Sequence, residues 1–287
     1  MVWNLQNDTF TFKVTLQDKP FTRRGVLSVI NSLYGPLGLA SPVILVGKLL
    51  LQRLIIMGKE KENGATLGWD DPLPEQLERR WQSWRDQLPN LEDVSVPRCY
   101  HSKNFGEVES TELHAFSDAS KDAIGTAVYL RQVNRDGEVS VALALGQAKV
   151  APIPPTSIPR LELCAAVLST QAVGKILKEL DLKVDKVMFF TNSKIVLGYI
   201  KKEARRFHVY VANRVQSIRN VSEPNQWRYV DTSENPADLA TRGITAKDLI
   251  HSVWLNGPPR LTQTTIESPP TSDNDATIAE NDPEVRR

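Results

Sequence analysis

The sequence predicts an α/β fold: a five-stranded mixed sheet with flanking helices, preceded by a small helical module. Three observations lead there. Strand-like alternation recurs in three successive segments between residues 110 and 145, with a hairpin signal, Asn134-Arg-Asp-Gly137, between the second and third. After residue 155 helical and strand-like stretches alternate, the pattern that builds a sheet with helices packed on it. Between residues 22 and 90 the apolar spacing is helical.

Taken in order, residues 1–21 mix short apolar and polar steps (Phe10, Phe12, Val14, Leu16) and are expected to be a strand severed from whatever precedes it. Thr22 can cap a helix running to Leu33, because Val26, Val29, Ile30 and Leu33 recur at helical spacing. Gly35-Pro36 breaks it, and Pro42 opens a second apolar helix toward Met57. Pro74 starts a third, in which Leu77, Trp81, Trp84 and Leu88 form one stripe; tryptophans so spaced are packing residues. A strand near Val94–Tyr100 leads to the three alternating segments. Ala151–Pro159, with four prolines, is a loop, and Arg160–Leu180 is helical. Strand 186–192, helices 194–202 and 205–220, strand 227–231 and a last helix opening near Asn235-Pro236 complete the order β-β-β-α-β-α-β-α. The domain plan is a helical module over residues 1–95, a sheet domain over 96–250, and a tail from 251 to 287. From Thr262 onward it carries six acids and several prolines with almost no large apolar residues, and the tail is expected to be disordered.

Composition excludes little. The 287 residues are 41% hydrophobic and 24% charged, with a formal net charge of +1, so the distribution of charge matters more than its sum. From Ser193 to Asn220, seven basic residues (Lys194, Lys201, Lys202, Arg205, Arg206, Arg214, Arg219) face one acid, Glu203. Such a surplus suits a phosphate-facing surface and equally a solvated helix face. The two cysteines, Cys99 and Cys164, are too few for a disulfide framework or a zinc cluster, and Cys164 is expected in the core. No charged-then-apolar signal-peptide pattern is read in the opening residues, and no apolar run approaches the roughly 18 residues that cross a bilayer. An intracellular protein, or a piece of one, with no membrane partner is expected.

The chemistry centres on Ser110-Thr-Glu-Leu-His-Ala-Phe-Ser-Asp-Ala-Ser120. Leu113, Ala115 and Ser117 fall on one face of the strand and His114, Phe116 and Asp118 on the other, which sets Asp118 at a strand end, where α/β sheets bind ligands. Glu162 follows in the first turn of a helix, where the helix dipole also favours a carboxylate. Asn192 closes the strand Lys186-Val-Met-Phe-Phe-Thr-Asn-Ser, and Asp238 lies in Asn-Pro-Ala-Asp-Leu-Ala-Thr-Arg-Gly. Strand-end Asp, helix Glu, strand-end Asp and helix Asp is the arrangement of ribonuclease H; here the third member has lost its charge.

The motifs Ser-Leu-Tyr-Gly-Pro-Leu-Gly-Leu-Ala-Ser-Pro (32–42), Leu-Gly-Trp-Asp-Asp-Pro-Leu-Pro (67–74), the Asp118 strand, Pro-Thr-Ser-Ile-Pro-Arg-Leu-Glu-Leu (155–163), Trp227-Arg-Tyr-Val and Asn235-Pro-Ala-Asp-Leu-Ala-Thr-Arg-Gly carry a resemblance over residues 22–260. The chain resembles the polyprotein of Pao/BEL-type LTR retroelements, from the thumb and connection region of the reverse transcriptase through its ribonuclease H domain. The resemblance implies a ribonuclease H-like sheet with strand arrangement 3-2-1-4-5, counted within the sheet domain. It implies two-metal hydrolysis of the RNA strand of RNA:DNA hybrids, with Mg²⁺ (or Mn²⁺) held by Asp118, Glu162 and Asp238, and catalytic positions Asp118, Glu162, Asn192 and Asp238. The partners it implies are nucleic acid, contacted by Lys149, Lys194, Lys201, Lys202, Arg205, Arg206 and Arg214, and the rest of a reverse transcriptase polyprotein.

Asn192 is nearly isosteric with Asp but neutral, and its amide repels a cation. Cleavage is therefore expected to be reduced or lost and the metal weakly bound, while fold and hybrid binding persist. The alternative is an inactive nucleic-acid-binding remnant. No Tyr-X-Asp-Asp polymerase signature occurs. An aspartic peptidase would need Asp-Thr-Gly or Asp-Ser-Gly, and the nearest match, Asp231-Thr-Ser, lacks the glycine. His208 is read as a solvent or phosphate contact and His114 as structural; Ser117, Ser120 and Lys149 are placed along the groove.

Overall fold

The computed structural model describes residues 1–16, 18–59, 68–202, 206–265, 278 and 282–285. The chain opens with β1 (Val2–Asn4) and β2 (Thr9–Thr11), then α1 (Arg23–Ser32), α2 (Ser41–Lys59) and α3 (Glu75–Gln87). β3 (Ser95–Pro97) returns to pair antiparallel with β2. Thr22 caps α1 as expected, its hydroxyl accepting from Gly25 N at 3.1 Å. The first module is thus not purely helical. A small β1-β2-β3 sheet closes it, and its third strand straddles the expected boundary at residue 95.

The large sheet is built from β4 (Val108–Ala119), β5 (Ala123–Asn134), β6 (Val139–Val150), β7 (Lys186–Thr191) and β8 (Trp227–Tyr229). Its order, β6-β5-β4-β7-β8, is the 3-2-1-4-5 arrangement that the resemblance implied. β4, β5 and β6 are antiparallel, whereas β7 and β8 join in parallel and so need helical crossovers. Those crossovers are α4 (Ile158–Glu179), then α5 (Lys194–Lys201) and α6 (Val209–Arg219). Three short helices follow: α7 (Leu239–Arg242), α8 (Ala246–Leu249) and α9 (Val253–Asn256). No helix among the described residues is long and apolar enough to cross a membrane.

Alternation along β4 sorts the two cores. Leu113 and Ala115 pack with Leu163, Val196, Leu197 and Val211 of α4, α5 and α6. Phe116, on the opposite face, shares a core with Tyr129 and Phe190 and also with Val29, Leu45, Trp84 and Leu91 of the first module. The expected division at residue 95 is therefore no division between cores, since α2 lies directly on the sheet. Trp81 and Trp84 are buried and 5.3 Å apart, the packing role their spacing implied.

The expectation of a disordered tail is corrected over much of its length. Residues 251–265 belong to the fold: Trp254 is fully buried and donates to Leu39 O at 2.9 Å, and Tyr129 donates to the Val253 and Trp254 carbonyls. Glu284 docks on Arg160 (2.5 and 3.1 Å), and Phe207 pairs with Val285. One buried indole and one ion pair overcome a polar composition here. Positions 266–277, 279–281 and 286–287 lie outside the described residues.

Candidate active site

Asp118 stands near the end of β4 and is 4% exposed. It faces Gly125 of β5, where a side chain would collide with Ala240 Cβ at 2.6 Å and Ala237 O at 3.0 Å. The missing side chain lets the segment 236–242 lie against the sheet. Asn235 fastens that segment, donating to Ser117 O (3.0 Å) and accepting from Ala237 N (3.1 Å). Thr241 then reaches Asp118 Oδ2 at 2.6 Å, and Ser120 donates to Thr241 O at 3.1 Å.

Asn192 follows β7, the parallel neighbour of β4, so both strands end at the same edge of the sheet. Its Nδ2 donates to Asp118 Oδ1 at 2.9 Å and to Thr232 Oγ1 at 3.1 Å, while its Oδ1 is buried with no hydrogen-bond partner among the described residues. Ser193 caps α5 and donates to Glu162 Oε2, which brings the start of α4 to the same place. Burial raises the Glu162 carboxyl above its ordinary range; the Ser193 hydrogen bond opposes this, and the charge of Asp118 adds to it. Asp238 accepts from Arg242 Nε at 2.7 Å, one helical turn along. The Arg242 guanidinium is in turn held more firmly protonated by Asp238 and, to a smaller extent, by Asp118.

The four expected positions thus meet at one end of the sheet, but with their charges already answered. Asp118 spends both oxygens on Asn192 and Thr241, Glu162 takes the Ser193 hydroxyl, and Asp238 is paired with Arg242. No trio of His, Cys, Asp or Glu among the described residues is arranged to hold a metal ion. As it stands the donor set does not fit a pair of Mg²⁺ or Mn²⁺ ions. A cation beside Asp118 would meet an amide N–H where an oxygen is needed, and one beside Asp238 would meet a guanidinium.

Thr241, Ser193 and Arg242 were not read from the sequence as site residues. Their signal was local all the same. Ser193 adjoins Asn192, and Thr241 and Arg242 stand three and four residues past Asp238, the spacing that shares a helix face.

The basic residues divide. Lys194 lies 4.9 Å above the Tyr229 ring, two positions past Asn192. Lys149 is exposed on β6, and its charge lowers the ammonium of Lys48, which burial already depresses. Lys201 is the last residue of α5 and Lys202 its C-cap, about 10 Å along the helix from Lys194, and Arg206 comes after them in the chain. Arg205 lies outside the described residues. Arg214 is committed to packing: it stacks 3.4 Å from the Tyr210 ring centre and donates to Cys164 Sγ at 3.2 Å and to Tyr210 O at 3.0 Å. Cys164 is correspondingly half-buried in a polar contact and not the core residue its neighbours suggested.

His114 is buried against Phe190 and bonded to Glu112 at 2.8 Å, a structural role as expected. Asp231 is exposed and caps its own turn, accepting from Ser233 N at 3.0 Å and Ser233 Oγ at 2.7 Å.

Among solved structures the chain is similar to ribonuclease H1 of Halobacterium salinarum NRC-1 (11% identity, 45% of this chain and 90% of that one, TM-score 0.30). It is also similar to LC11-RNase H1 in complex with an RNA/DNA hybrid (10% identity, 45% and 91%, TM-score 0.31). A third is the foamy viral protease-reverse transcriptase in complex with double-stranded DNA (11% identity, 75% of this chain and 33% of that one, TM-score 0.38). No curated protein is matched by the sequence. The family model for the Pao retrotransposon-like RNaseH-like domain matches residues 22–193, more than half of the chain and inclusive of α1, α2 and α3. On that match the chain belongs to the Pao retrotransposon RNaseH-like family.

Proposed function

We propose that this ribonuclease H-like domain binds RNA:DNA hybrids over the sheet end that carries Asp118, Glu162 and Asn192, and that metal-dependent cleavage of the RNA strand is disabled at Asn192. One observation carries the reading: Asn192 presents Nδ2 to Asp118 Oδ1 at 2.9 Å, a neutral donor where hydrolysis would need an anionic ligand. Two divalent cations would supply charge stabilisation at the attacking water, the phosphoryl oxygens and the leaving 3′ oxygen. With an amide at this place the carboxylates are satisfied without them.

Binding does not share that requirement. A hybrid is recognised through its backbone shape and 2′-hydroxyls, and the loss of one negative charge at the site eases the approach of phosphate. Lys149 and Lys194 are the basic residues best placed to meet it.

The test is hybrid binding and cleavage, with Mg²⁺ and with Mn²⁺, by the native chain, by Asn192→Asp and by Asp118→Asn. Binding by all three, with cleavage by Asn192→Asp alone, is the expected result. Robust cleavage by the native chain that Asp118→Asn abolishes would overturn the reading of Asn192.

A further inference from the structure

Between α2 and α3, and continuing to α7 at the active-site end of the sheet, runs an open cleft of about 580 Å³. Its floor is apolar, with Val46 and Trp84 among the lining residues, and its rim is cationic: Arg53 from α2, Arg79 and Arg80 from α3, and Arg242 from α7. One acid, Asp122, lines it. Arg79 is paired with Glu75 at 2.7 Å and Arg242 with Asp238 at 2.7 Å. Arg53 and Arg80 are exposed and make no ion pair among the described residues.

We propose that this cleft is a second track for the nucleic-acid backbone, in which Arg53 and Arg80 take phosphates of a duplex whose neighbouring turn lies on the Asp118 face. The assignment rests on the hybrid-binding reading above and extends it to the first module. Three features favour a polyanion over a small anion or a peptide. The cleft is open, so it does not enclose a single phosphate. Its arginines stand apart on facing helices, with only the neutral side chains Gln52, Ser83 and Gln87 as other polar groups of the α2 and α3 walls, and such separated cations suit a backbone with regularly spaced charges. Arg242 belongs both to the cleft and, through Asp238, to the active site, so the two surfaces are continuous. The shared core beneath α2 fixes their relative position.

Hybrid affinity of the full chain, measured across a salt series and over graded hybrid lengths, tests this. The double variant Arg53→Gln/Arg80→Gln keeps the side-chain stems and is expected to leave the melting temperature unchanged. Its slope of log K against log salt should fall by about 2, close to 0.9 for each phosphate no longer neutralised. The effect should vanish on hybrids too short to reach the cleft. Asp122→Asn, which removes the one acid, should tighten binding to long hybrids only. Native binding with an unchanged slope in the double variant would overturn the cleft while leaving the hybrid reading intact. No native binding at any salt would remove both. Competition by polyglutamate that depends on the same two arginines would assign the cleft to an acidic peptide instead.

Discussion

Asn192 turns its amide nitrogen, and not its oxygen, toward Asp118, across 2.9 Å. The pair is an ordinary hydrogen bond at a place where two carboxylates could coexist only with a cation between or beside them.

Replacement of Asn192 by Asp should therefore make the domain dependent on metal. Without a divalent cation two carboxylates face each other at a nearly buried position, and stability should fall by roughly 1–3 kcal/mol. Added Mg²⁺ should restore it and raise hybrid cleavage by about a hundredfold or more, the scale on which single electrostatic groups act in catalysis. Thermal melts with and without Mg²⁺ check the first part, and a cleavage assay checks the second. A melt that ignores Mg²⁺ would show that the Asn192→Asp carboxylate does not complete a cation site.

Glu162 gives a pH signature. Burial makes its carboxyl harder to ionise in the folded chain than in the unfolded one, so its contribution is fully present below the ordinary value of 4.5 and is lost as pH rises through the raised folded value. Glu162→Gln keeps an acceptor for Ser193 and removes the charge. It should melt higher than the native chain at neutral pH, and the difference should close near about pH 4.

Arg131 holds the segment after α9 to the sheet. Buried on β5, it donates to Leu261 O (2.9 Å), Gln263 O (2.6 Å) and Thr264 O (3.0 Å), and pairs with Glu112 at 3.2 Å. Arg131→Met leaves Glu112 with His114 as its remaining ion partner and takes the donor from the buried Leu261 carbonyl, and should cost about 3–5 kcal/mol. Limited proteolysis should then cut within residues 257–265 first. Pairing it with Glu112→Leu should recover part of the loss.

Gly146 marks the contact between the first module and the sheet. A methyl group there would stand 2.2 Å from Trp254 Cζ2 and 3.1 Å from Gly38 O, and Gly146 N already donates to Leu37 O at 2.9 Å. Gly146→Ala should destabilise by about 1–3 kcal/mol, the usual cost of overpacking. Urea unfolding at unchanged m would locate the effect in stability alone.

The sheet was legible because each of its long strands carries its own period-2 record: Leu113, Ala115 and Ser117 against His114, Phe116 and Asp118 suffices to assign both faces of β4. The positions of Asp118, Glu162, Asn192 and Asp238 were legible for the same reason, since strand ends and helix starts are local features. What the local pattern did not hold was who answers each charge. Arg242 on Asp238 and Thr241 on Asp118 depend on how the 236–242 segment crosses the sheet, and that path is set by an absent side chain at Gly125. Strands were expected within residues 1–21 and near Val94–Tyr100, but their pairing as the β1-β2-β3 sheet was not legible, because three-residue strands are too short to show a period or a register. Residues 251–265 escaped it because their place depends on one tryptophan and on an arginine 130 residues upstream of Leu261.

The hydrogen bond from Trp254 to Leu39, spanning 215 residues, has a consequence for how the chain is made. On a ribosome α1, α2 and α3 emerge before the large sheet, with an apolar face whose cover is that sheet and whose last bolt is an indole synthesised far later. The opening third of the chain must therefore wait, partly uncovered, for residues near the end of the fold. Contacts of such long range close slowly, and an uncovered apolar face invites association in the meantime. Translation interrupted anywhere before Trp254 should yield an aggregating nascent chain, and release past it should yield a soluble one.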